Sequence, residues 1–70
     1  MAKTLPLKAF VELAAEATLH NYLDGGTDRV TELHWPAQIY EISEVELDRK
    51  VRRELERMKA RHYENFNHHA

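Results

Sequence analysis

Apolar positions follow a helical rhythm in two stretches of the chain and lose it between them. In LPLKAFVELAAEATLHNYL, residues 5–23, Leu7, Phe10, Val11, Ala14, Ala17, Thr18 and Tyr22 recur every three or four positions, which is one face of a helix. Pro6 suits a first turn, where its missing N–H costs nothing, and the alanines favour the helix. Asp24-Gly25-Gly26 is a stop signal in which either glycine can adopt the left-handed cap. A helix is therefore predicted from about Pro6 to Leu23. Leu19 and Leu23 fall off the main face. The C-terminal half is then apolar on two sides, either wedged between two elements or meeting something outside the monomer, with wedging the simpler expectation.

The second rhythm is sharper. Leu47, Val51, Leu55, Met58 and His62 form one narrow stripe when placed at 100° steps. Ser43 and Glu46 have the spacing of a capping box, and Ile42 and Leu47 that of a hydrophobic staple. These signals agree on a helix from Ser43 to about Tyr63 or Glu64, followed by a frayed tail over 65–70. The stripe also has coiled-coil spacing, but over barely two heptads, so packing within the chain's own domain is the favoured reading.

Between the two, TDRVTELHWPAQIYEI (residues 27–42) has no clean period. One reading caps a short helix at Thr27 or Asp28 and ends it at His34, because Pro36 pushes Trp35 out of the helical region, with an extended segment after it. The other is a β-hairpin pairing Arg29–Leu33 with Gln38–Ile42 around Trp35-Pro36. The predicted fold is thus mainly α: one small domain over residues 1–64, with two principal helices packed together and a short helical-turn or β-hairpin element closing one end.

Composition narrows the function classes. Seventy residues enclose only a small core, and without cysteine no disulfide can reinforce it. No apolar run approaches membrane-spanning length, and Glu12 and Glu16 interrupt any signal-peptide core, so a soluble cytoplasmic protein is expected. The charge is uneven. Asp48–Arg61 holds seven Lys or Arg against three acids, inside a chain whose net charge is −2. On the helix, Lys50, Arg53, Arg57 and Arg61 gather on a flank beside the apolar stripe. Glu46–Lys50, Asp48–Arg52 and Glu54–Arg57 have ion-pair spacing, whereas Arg53–Arg57 and Arg57–Arg61 are like-charged neighbours that oppose the helix.

No arrangement of catalytic or metal-ligating residues stands out. His20, His34, His62, His68 and His69 include no HExxH pair and no well-spaced acidic partner, and Gly25-Gly26 is a helix stop rather than a phosphate loop. No cofactor, no metal and no enzymatic activity are expected. The candidate surface is instead adhesive. It combines the basic residues Lys50, Arg53, Arg57 and Arg61 with apolar anchors from the N-terminal arm (Lys3, Leu5, Lys8) or from Trp35, a residue otherwise suited to plugging the core. Such a surface suits an acidic patch on a larger protein. The alternative is a small DNA-binding regulator using the basic helix, with a homodimer as a variant; no stacking aromatics alternate with the basic residues to support it.

In size, lack of cysteine and single-domain texture the whole chain resembles small bacteriophage-encoded regulators that bind host RNA polymerase. That resemblance implies a partner in the transcription machinery, with inhibition or antitermination as the effect, in a bacterial cytoplasm. It carries no site residue.

Overall fold

The computed structural model describes residues 5–30 and 32–68, with side chains through residue 64. Three helices follow one another: α1 (Leu7–Leu23), α2 (His34–Ile39) and α3 (Glu44–His68). The fold is mainly helical, with the two long helices packed together. No strand occurs among the described residues, so the hairpin alternative is excluded.

Both ends of α1 form for the reasons read from the sequence. Pro6 is the N-cap. At the other end Gly26 N–H donates to Asn21 O (2.9 Å) and Gly25 N–H to Tyr22 O (3.1 Å), with Gly25 at φ +93°. This crossed pair satisfies carbonyls that a helix end leaves open and needs a left-handed residue at Gly25. Ser43 Oγ accepts from Glu46 N–H at 3.0 Å and starts α3. Leu47 is fully buried, and Ile42 packs on the same core. The Glu46 carboxylate lies 3.8 Å from Arg49, rather than pairing with Lys50. α3 continues to His68, past the expected end at Tyr63 or Glu64, so residues 65–68 extend the helix instead of forming a tail.

The middle segment reverses the expected order. Residues 27–30 and 32–33 are irregular, and the helical turn comes after them as α2, with Pro36 inside it. Pro36 is the third helical residue. Its N–H would have no intrahelical acceptor there, and the first bond is Ala37 N–H to Leu33 O at 2.9 Å. α2 ends in the same crossed geometry as α1: Ile42 N–H donates to Ala37 O (3.1 Å) and Glu41 N–H to Gln38 O (3.2 Å). Here the left-handed residue is Glu41, at φ +55°.

The segment also does not simply close one end. Leu7, Lys8 and Val11 near the start of α1 lie beside Lys50, Glu54 and Arg57 of α3. Tyr22 near its end lies beside Lys59 and Tyr63. The two long helices therefore run parallel, and the connection between them returns along the length of α1, about 25 Å for a helix of that size. Val30, Leu33 and Ala37 from this return join Val11 and Ala15 of α1 and Leu47, Val51 and Leu55 of α3 in the buried core. The connection is thus a third layer, without which one edge of the helix pair would be wet.

The core stripe of α1 is shifted from the predicted one. Ala15 is fully buried and Ala17 exposed, because α1 faces α3 along Val11, Ala15 and Thr18. A methyl at position 15 lets the helices approach closely. Buried Thr18 satisfies its hydroxyl by donating to Ala14 O at 2.8 Å. Leu19 packs against the core, as wedging requires, while Leu23 stays exposed. On α3 the stripe ends at Met58, and His62 is exposed. Burying Leu47, Val51 and Leu55 contributes about 1.5–3 kcal/mol each. This stripe is the monomer's own core, which is the favoured reading of its spacing.

Candidate functional site

The structure splits the expected surface in two. Lys8, Lys50 and Arg57 meet in an open groove between α1 and α3, over a floor of Leu7 and Val11 and together with Glu12 and Glu54. The groove continues past Glu12, Leu13 and Glu16 to Met58 and Arg61. The basic flank of α3 therefore faces the acidic flank of α1. Arg57 is bonded to Glu54, and that carboxylate, with Glu12 across the groove, raises the guanidinium pKa above its ordinary value. Of the like-charged neighbours in the sequence, Arg57 and Arg61 share these grooves with Glu12, Glu16 and Glu54. Arg53 is exposed on the outer side of α3. Lys3 lies outside the described residues.

Trp35 lies elsewhere. The position suits a core plug, but the indole is 69% exposed on α2. α2 is anchored through Ala37 and Leu33, and helical geometry turns Trp35 and Ile39 to the opposite side. Glu44 and Asp48, at the α2 edge of α3, are on the other flank of the buried stripe from Lys50 and Arg57. No single face holds both Trp35 and the basic flank.

The N-terminal arm instead meets Tyr40, the residue that caps α2. Tyr40 O–H donates to Leu5 O at 2.6 Å, and the Tyr40 ring packs on Phe10 with centroids 5.5 Å apart. This ties the N-terminal arm to the C-terminal end of α2. At the other end His34 Nδ1 is 3.0 Å from Glu44 Oε2, and Gln38 Nε2 is 3.3 Å from His34 Nε2. An amide nitrogen only donates, so Nε2 accepts and Nδ1 carries the proton toward Glu44.

Some residues of interest are not obvious in the sequence. Ile39 and Val45 are exposed, and Glu32, Glu44 and Asp48 line a shallow groove with Leu33 and Val45. A signal exists for the acids: Val30–Asp48 holds five carboxylates and no Lys or Arg. Lys59 is another. Helical phase puts it with Glu56 on the solvent side, yet its side chain is only 13% exposed. It donates to Asp28 Oδ2 at 2.8 Å and lies 4.3 Å from the centre of the Tyr22 ring. The ammonium lowers the Asp28 pKa through a hydrogen bond and direct attraction, and the Asp28 bond raises that of Lys59.

Among the described residues no cluster of His, Asp or Glu has the form of a metal site, and no helix is long and apolar enough to cross a membrane. Comparison with known protein families, with characterised proteins and with solved structures finds no match.

Proposed function

We propose that this chain is a small regulatory protein that works by adhering to a larger macromolecular machine, with bacterial RNA polymerase as the candidate partner and transcription as the process modulated. The observation that carries the adhesion is Trp35. The chain's one tryptophan stands in solvent on a helix whose other side is anchored in the core. A core this small gains from every large apolar side chain it buries, so leaving its largest outside is unfavourable for the monomer alone. Tryptophan is also the side chain most enriched among residues that dominate interface energetics. The choice of polymerase rests on the resemblance of the whole chain to phage-encoded regulators.

The alternative, a DNA-binding regulator built on the basic flank, draws less support. Glu12, Glu16 and Glu54 share the grooves with Lys50, Arg57 and Arg61 and would repel phosphates. Retention of the chain on immobilised RNA polymerase tests the proposal. Wild type is expected to be held stoichiometrically and Trp35→Ala to be released, with unchanged helicity. No retention, or equal retention of both, refutes it. Steeply salt-dependent binding to duplex DNA without polymerase retention would establish the alternative.

A further inference from the structure

We infer that the outer face of α2 docks a cationic, apolar segment of the partner protein. This rests on the adhesive reading above and specifies the chemistry of what is held. Trp35 and Ile39 are one helical turn apart on the side of α2 away from buried Ala37, and both are exposed. The face is held at both ends, by His34 against Glu44 and by Tyr40 against Leu5, itself exposed. A face held this way loses little freedom when a partner covers it.

The charge around it selects the partner. The shallow groove beside α2 has Leu33 and Val45 as its apolar lining and Glu32, Glu44 and Asp48 as its polar one. The next cations along α3, Arg49 and Arg52, already face Glu46 (3.8 Å) and Asp48 (2.9 Å). Asp48 is thereby bonded to Arg52 and Glu44 to His34, and Arg29 lines the adjoining hollow with Glu32. The five carboxylates between Val30 and Asp48 still outnumber Arg29, Arg49 and Arg52, an excess that disfavours nucleic acid and anionic membrane. A second copy presenting the same face would set carboxylates against carboxylates, which opposes a two-fold dimer here. A lysine or arginine on an apolar segment meets none of these objections. Its methylenes lie on exposed Val45, its head reaches the carboxylates, and the indole, next in sequence to the His34 that holds Glu44, offers a cation–π surface.

The test uses the full chain and two fluorescently labelled amphipathic peptides with identical leucines, one carrying lysines and the other glutamates, followed by anisotropy. The lysine peptide is expected to bind saturably, and its affinity to fall about tenfold between about 50 and about 500 mM salt. The glutamate peptide is expected not to bind. E32Q combined with E44Q should weaken lysine-peptide binding by about threefold or more, and E32Q alone, at an exposed site, should weaken it without disturbing the fold. Equal binding of both peptides, indifference to the Glu→Gln changes, or undiminished binding by Trp35→Ala each overturns the inference. So does a dimer in sedimentation that Trp35→Ala dissolves. Failure of the lysine peptide while Trp35→Ala still abolishes polymerase retention removes this inference and leaves the adhesive reading standing. Failure of both removes both.

Discussion

Lys59 of α3 donates a 2.8 Å hydrogen bond to Asp28, thirty-one positions earlier in the chain, and sits over the Tyr22 ring at the end of α1. This one side chain joins both long helices to the start of the return segment. It is a structural cation, and its charge is not available to a partner.

The pair makes stability depend on pH in a defined sense. Asp28 titrates below its ordinary 3.8, so its contribution is complete above that value and is lost as pH falls through the depressed pKa. Lys59 titrates above its ordinary 10.5, so its contribution is complete below that value and is lost as pH rises through the raised pKa. In denaturation measured across pH, Asp28→Asn should lower the plateau and flatten the acid limb. Parallel wild-type and variant profiles would show that the pair adds nothing.

Glu41 occupies a conformation that suits glycine. A side chain in the left-handed region is disfavoured by roughly 1–2 kcal/mol, partly offset by the greater entropy that glycine loses on folding. Glu41→Gly is expected to stabilise the chain by about 0.5–1 kcal/mol in urea unfolding, and Gly25→Ala to destabilise it by about 1 kcal/mol. If both changes act in the same direction, the two helix ends are not built alike.

The α3 stripe separates core from surface within one helix. Leu55→Ala should cost about 2–5 kcal/mol, comparable to the whole stability of a chain this short, and abolish cooperative unfolding. His62→Ala, on the same helical phase but exposed, should change stability by less than about 0.5 kcal/mol. Thermal melts followed by circular dichroism distinguish the two. A large loss at His62 would mean that the stripe continues into a contact beyond the monomer.

Two exposed surfaces compete for the adhesive role. Trp35→Ala should leave stability within about 0.5 kcal/mol while removing retention on the partner. Replacing Arg53, Arg57 and Arg61 together by Gln should leave retention unchanged, since the inferred docking face lies on the other side of the α3 stripe. The reverse result would return the interface to the basic flank.

Local signals made much of this legible from the chain itself. A helix end is decided by a few consecutive residues, so Pro6, Gly25 and Ser43 marked theirs correctly, and Leu47, Val51 and Leu55 announced the core by period alone. Pro36 misled because a proline forbids the middle of a helix but not its first turn, and nothing in the sequence says which of the two it will be in. Parallel packing of α1 and α3 was decided only in three dimensions, by whether the connection between them folds across an end or travels back along the pair. The fates of Lys59 and Trp35 followed from that path. The return segment carries Asp28 to Lys59 and shields a lysine that helical phase assigned to solvent, and it spends Val30, Leu33 and Ala37 on the core, leaving the indole on the outside. The chain specifies which residues are apolar and where helices end, whereas burial depends on what the rest of the molecule places on top.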